Sequence, residues 1–171
     1  AFADEIIRQS RDLRVIVVDR RAKPGGHWND AYPFVRLHQP SAFYGVNSKQ
    51  LGNNTIDTSG LNKGLYELAT NEEVCSYFDQ VMQRQFIASG RVRYFPSCEY
   101  LGKGEFSSLL SQEKYKVSFT KEVDSTYMNV VVPSKRPPPF TLSGNAHCAP
   151  LNQLPALKQK YDRFVIVGAG K

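Results

Sequence analysis

The sequence predicts an α/β fold organised on a parallel sheet, and three observations carry that prediction. Arg14-Val15-Ile16-Val17-Val18 is a continuous β-branched run of the kind buried on both faces of a parallel sheet. Helical periodicity precedes it and returns later, ahead of a short β-forming stretch. A second apolar run, Phe164-Val165-Ile166-Val167, leads directly into Gly168-Ala169-Gly170.

Bulk properties narrow the classes. The 171 residues are 41% apolar and 22% charged, the profile of a chain that buries one ordinary core. Every apolar run falls far short of the ~20 residues that span a bilayer, and no charged segment followed by an apolar signal core opens the chain, so no membrane partner is expected. Cys75, Cys98 and Cys148 have no Cys-x-x-Cys spacing and an odd total. That pattern predicts neither a disulfide framework nor a metal site, and makes a reducing cytoplasm the expected compartment. The net charge of +6 is spread along the chain, with Lys135-Arg136 a short exception. Nucleic acid is therefore not an expected partner, whereas phosphate-bearing cofactors suit the excess.

Element by element, Phe2, Ala3, Ile6 and Ile7 share one side of a helix, with Asp4, Glu5, Arg8 and Gln9 around the other. No capping residue precedes that helix. The strand at 15–18 ends at Asp19, and Lys23-Pro24-Gly25-Gly26 is turn chemistry. From 27 to 68 the chain is rich in Asn, Ser, Gly and aromatics without a sustained period, so it reads as a long loop region with short turns, of the kind that wraps a ligand. Thr70-x-x-Glu73 forms a capping box for a helix carrying Val74, Tyr77, Phe78, Val81, Met82 and Phe86, which Gly90 closes. Arg91–Phe95 is a short strand; Tyr115–Phe119 and Met128–Val132 read as an antiparallel meander; Pro137-Pro138-Pro139 is an extended connector.

Two features carry chemistry. A buried strand running into Gly-x-Gly is how a dinucleotide-binding βαβ unit begins: the first Gly allows the tight turn, and the second lets the backbone approach a pyrophosphate. In the same fold an acid closes the second strand about twenty residues after the fingerprint and accepts hydrogen bonds from a ribose. Asp19 stands at such a strand end, so the chain is expected to start just after one fingerprint and to stop inside another. The plain alternatives are a solvated strand-end carboxylate at Asp19 and an ordinary buried strand and turn at 164–170.

Asp19-Arg20-Arg21, followed by Gly25-Gly26-His27-Trp28 and Tyr32-Pro33, resembles the first nucleotide-binding region of flavin-containing and Baeyer–Villiger monooxygenases, within the two-dinucleotide flavoproteins. The resemblance covers roughly the first fifty residues and the last ten; the middle matches in layout only. It implies a partial Rossmann-like FAD-binding domain over 1–160, lacking its N-terminal Gly-x-Gly-x-x-Gly and built of parallel sheet, helices and a small antiparallel meander. Residues 161–171 would then be the truncated start of an NAD(P)-binding domain. The implied cofactors are FAD and NAD(P)H, and the implied partner is a small-molecule substrate. By position, Asp19 with neighbouring Arg20 would lie at the FAD ribose, Gly25 and Gly26 would give close backbone approach, Trp28 would cover the cofactor, and Gly168 and Gly170 would face the NAD(P)H pyrophosphate.

Arg36 and His38, in the loop region, are candidates for contact with flavin or phosphate, against the plain reading of surface residues. The family's returning Ala-Thr-Gly strand has no counterpart at Val130–Ser134, and Arg36–Ser41 matches none of its diagnostic motifs. No catalytic side chain is assigned, since the cofactor carries such chemistry. A flavin reductase or dehydrogenase without oxygen insertion, and a non-catalytic dinucleotide-binding module, stay open as alternatives.

Overall fold

A computed structural model describes residues 1–126 and 136–168. The chain divides into two units, Ala1–Asp124 and Ser125–Lys171. The first is mixed α/β, with small sheets and two α-helices.

Helix α1 (Phe2–Gln9) begins without a side-chain cap. Its carboxyl end is closed from a distance: the Arg91 guanidinium donates to the carbonyls of Ile7, at 2.6 Å, and Ser10, supplying partners that the last turn lacks. Strand β1 (Val15–Val18) pairs in parallel with β4 (Val92–Phe95), in the register Val15↔Val92 to Val18↔Phe95. Between them in sequence lies α2 (Asn71–Val81), so β1, α2 and β4 make a crossover of the kind that parallel strands require.

The capping box of α2 is formed in both directions. The Glu73 amide donates to Thr70 Oγ1 at 3.2 Å, and the Thr70 amide donates to Glu73 Oε2 at 2.7 Å. The helix then loosens through one π-helical turn (Met82–Phe86) and a 3-10 turn (Ile87–Ser89), and stops at Gly90 with φ 68°. Val74, Tyr77, Val81, Met82 and Phe86 point from this element into a core shared with Trp28, Leu37, Val46, Leu51, Ala69 and Val92.

The long region between β1 and α2 is ordered by short elements. A hairpin of β2 (Gly45–Val46) and β3 (Lys49–Gln50) is pinned by Tyr77, whose hydroxyl accepts from the Val46 amide at 2.8 Å and donates to the Lys49 carbonyl. From the other side, the Asp4 carboxylate accepts from the backbone amide and hydroxyl of Ser48. The expected placement of Asp4 on the polar side of α1 is therefore corrected: Asp4 is buried, and what brings it inward is the need of the hairpin turn for an acceptor.

After β4 come β5 (Cys98–Gly102), β6 (Glu105–Ser108) and β7 (Lys114–Lys116), an antiparallel sheet in that order. An antiparallel meander is present, but earlier in the chain than expected. Phe106 is its buried centre, stacked on Tyr115 at 5.1 Å and met edge-on by Phe95 at 4.9 Å. The expected strand at Met128–Val132, the Val130–Ser134 segment and Gly170 lie outside the described residues.

Two strand expectations need correction. The run 15–18 is not buried on both faces: Ile16 is 37% exposed, and among the described residues β4 is the only strand paired with β1. The run 164–167 is not a strand at all. In the second unit Phe164, Val165, Ile166 and Val167 are 64–91% exposed, and the regular structure described there is a 3-10 turn, Leu151–Ala156. A strand needs a hydrogen-bonded neighbour and a layer to cover it. The described residues supply neither to this run. Among the described residues, no helix is long and apolar enough to cross a membrane.

Candidate functional site

Of the sequence-predicted residues, Asp19 and Arg20 lie at the carboxyl end of the β1–β4 pair, and Gly25, Gly26 and Trp28 follow in the turn beyond it. The Asp19 amide donates to the Phe95 carbonyl at 3.0 Å, and the Asp19 carbonyl accepts from the Cys98 amide at 2.9 Å, so the parallel pairing continues to the very tip of the strand. The Asp19 side chain then turns the chain: Oδ1 accepts from the Arg21 amide at 2.9 Å. Such an acid-led turn uses part of the carboxylate and leaves lone pairs over.

The next residues are anchored outward from this point. Arg20 pairs with Glu99 of β5 at 2.6 Å through an exposed guanidinium. Arg21 grips Asp30 at 2.5 Å, tying the end of β1 to the 3-10 turn Gly26–Asp30. Gly25 and Gly26 sit between, with φ of 116° and 55°, backbone that side-chain-bearing residues rarely adopt. Their surroundings differ. A Cβ at Gly25 would come within 3.2 Å of Asn29 Nδ2 and 3.5 Å of Cys75 Sγ on α2, whereas a Cβ at Gly26 would meet nothing within 4 Å among the described residues. Close backbone approach at Gly25 thus serves packing onto α2, and the open face of the turn is at Gly26.

Trp28 is buried at 8% exposure, its Nε1 donating to Tyr44 Oη at 2.6 Å and its ring meeting Tyr44 edge-on at 5.9 Å. An indole so placed is a core residue with its polar atom satisfied. Arg36 and His38 are exposed. Arg36 donates to the Leu68 carbonyl at 3.2 Å and lines a groove of about 560 Å³, together with Lys49, Asp57, Glu67, Glu72 and Tyr77. The lining of that groove includes none of Asp19, Gly25, Gly26 or Trp28. Gly168 belongs to the second unit and has φ 123°, a glycine conformation.

Tyr94 was not singled out by the sequence. It opposes Val17 across the parallel pair, and by strand alternation Val15, Val17 and Asp19 share one face with Val92 and Tyr94. This is the face packed against the core. The Tyr94 hydroxyl is buried without a hydrogen-bond partner among the described residues. Burial first, then the charge of Asp19 and the reach of its carboxylate toward the hydroxyl, short of a hydrogen bond of full geometry, push its phenol well above the ordinary value. Nothing local in Val92-Arg93-Tyr94-Phe95 marks this tyrosine; it is the pairing with β1 that sets it on the same face as Asp19, one side-chain repeat short of it.

Two of the three thiols, Cys75 and Cys98, are packed into the first unit, and Cys148 is exposed. Cys75 lies beside Asn71 Oδ1 at 3.3 Å, and burial raises its thiol against a weaker opposite pull from Lys23. Burial likewise raises Cys98. A thiol held in its neutral form is a poor nucleophile. Among the described residues, no group of three His, Cys, Asp or Glu side chains is arranged to hold a metal ion.

This chain is similar along its whole length to uncharacterized proteins of Mycobacterium tuberculosis, from two strains, and of Mycobacterium bovis, each 53% identical over 171 residues. It spans about a third, 32%, of the length of these curated relatives. No family model matches the chain. No solved structure matches it either.

Proposed function

We propose that this chain is part of an FAD-dependent, NAD(P)H-using oxidoreductase of the monooxygenase type, and that its first unit forms the ribose side of a Rossmann-like FAD site. One observation carries the reading: a parallel β1–α2–β4 crossover whose first strand ends on a carboxylate, followed at once by a turn that only glycines make comfortably. In open parallel sheets, ligands bind outside the carboxyl ends of the strands.

The residues fit the group on that side. Asp19 keeps lone pairs beyond the one given to Arg21, Gly26 leaves its face of the turn open, and the Tyr94 hydroxyl beside Asp19 has no hydrogen bond of full geometry among the described residues. Asp19 would accept from ribose hydroxyls and the Gly26 backbone would lie along the cofactor. Trp28 would act from within the core, holding the turn in place through Tyr44 and so acting indirectly. When bound, the flavin supplies hydride acceptance from NAD(P)H and onward reaction with dioxygen or another acceptor. The second site, at Gly168 and Gly170, draws its support from the sequence pattern alone.

The test is made on the full-length protein. It is expected to purify with the visible absorption bands of oxidised flavin, and heat release followed by chromatography is expected to identify the chromophore as FAD. Asp19→Ala removes a charged acceptor and is expected to weaken FAD binding roughly tenfold to a hundredfold, the scale of a charge-assisted hydrogen bond. A colourless protein that gains no flavin on incubation with FAD defeats the proposal. Flavin reduction by NADPH with quantitative peroxide release would favour the oxidase-like reductase, and bound FAD that no nicotinamide reduces would favour the non-catalytic module.

A further inference from the structure

We infer that Tyr94 is a positioning residue for Asp19, presenting its hydroxyl proton to the buried side of that carboxylate so that the remaining lone pairs face ligand hydroxyls at the mouth of the β1–β4 pair. The inference rests on the FAD reading above and deepens it, because it names the residue that sets the orientation of the ribose-binding acid.

The geometry leads there in three steps. Registry puts Tyr94 opposite Val17, and the pairing carries on past it through the Asp19 amide and the Phe95 carbonyl, so Tyr94 and Asp19 sit on neighbouring strands, on one face, at the carboxyl end. The Arg21 amide already holds Oδ1 of Asp19 from the loop side. Among the described residues, the sheet side offers one buried donor not committed elsewhere, the Tyr94 hydroxyl.

A buried hydroxyl without a partner is costly, and native structures rarely keep one for packing alone. Phenylalanine would fill the same space without that cost. A hydroxyl retained next to a carboxylate that closes a parallel strand has a use if it fixes which lone pairs point outward. Two donors approaching from the loop and from the sheet leave a carboxylate little freedom to rotate, and pre-orientation of this kind lowers the ordering cost of binding.

Tyr94→Phe keeps the ring and removes only the hydroxyl. In the full-length protein it is expected to leave the melting temperature without ligand unchanged or raised, while weakening FAD and ADP about fivefold to tenfold and leaving riboflavin, which lacks the adenosine ribose, unaffected. Asp19→Asn is measured alongside, singly and with Tyr94→Phe. If Tyr94 acts through Asp19, adding Tyr94→Phe to Asp19→Asn changes ADP affinity by less than about twofold. Unchanged ADP affinity in Tyr94→Phe, where Asp19→Asn does weaken ADP, overturns the positioning role and leaves the FAD site standing. Unchanged ADP affinity in Asp19→Asn removes the ribose site itself, and with it both readings. A lowered melting temperature of the ligand-free Tyr94→Phe protein, with FAD, ADP and riboflavin affected alike, identifies a packing role and also overturns the inference.

Discussion

Val15–Val18 and Phe164–Val167 are nearly the same words in sequence, four residues of β-branched and aromatic character, yet they end in opposite states. The first is hydrogen-bonded to β4 along its whole length and half-covered by α2 and its neighbours. The second is exposed and unpaired among the described residues. Their intrinsic propensities do not separate them. Strand formation is a property of the surroundings, since the backbone groups of a strand find partners only on another strand, and its side chains need a layer to cover them. The first unit supplies both through a crossover helix and a parallel neighbour that arrives seventy-odd residues later.

The largest expected effect turns that contrast into a measurement. Val92, 5% exposed on β4, and Ile166, 89% exposed, are each replaced by Asp in the 171-residue chain. Val92→Asp buries a carboxylate without a partner and is expected to cost about 3–5 kcal/mol, a large share of the ~5–15 kcal/mol that holds a domain together. Ile166→Asp is expected to stay within about 0.5 kcal/mol of the parent. Urea denaturation followed by far-ultraviolet circular dichroism reads both. Equal losses would mean that residues 164–167 are buried in solution, and the contrast between the two runs would be gone.

A smaller effect tests the helix that makes the first run possible. Thr70→Ala removes the acceptor of the Glu73 amide and half of the capping box, and is expected to cost about 1 kcal/mol. The midpoint in urea is expected to fall with an unchanged slope. A changed slope would show that α2 unravels on its own and that β1 and β4 no longer unfold as one unit with it.

How much of this was written in the sequence depended on whether the deciding partner was near in the chain. The capping box at Thr70, the stop at Gly90 and the glycine turn at 25–26 were legible because each is settled within a few residues. The inward turn of Asp4 was missed. Its acceptor duty comes from Ser48, far along the chain, although the i,i+3 spacing to Ile7 already placed it beside an apolar residue. Strands β5 and β6 were missed because Cys98–Ser108 alternates weakly and is organised by one buried ring, Phe106. At the candidate site the acid and the glycines could be read directly. Tyr94 could not, since only the register of a non-local parallel pair, Tyr94 opposite Val17, brings it to the face and strand end that Asp19 closes. Trp28 shows the converse: a residue chosen for a cofactor role whose indole is taken up by Tyr44 and the core.

The smallest expected effect brings the same contrast down to one hydroxyl on the paired strands. Because burial and the charge of Asp19 raise the phenol of Tyr94, the folded chain holds that proton more tightly than the unfolded chain does. Below the ordinary tyrosine value of about 10, both states keep the proton and the stability of the fold does not depend on it. As pH rises past that value the unfolded chain ionises first, so the contribution of Tyr94 is progressively lost on the alkaline side and nowhere else. Tyr77, raised chiefly by burial, adds a loss of the same sign. Replacing Tyr94 with Phe is therefore expected to flatten the fall in stability between about pH 9 and 11 without abolishing it, because Tyr77 and the raised thiols of Cys75 and Cys98 remain. Urea midpoints of parent and variant across that range give the answer. Parallel curves would mean that the Tyr94 hydroxyl reaches water when the protein is in solution, and the enclosed face beneath β1 and β4 would then be open where the structure closes it.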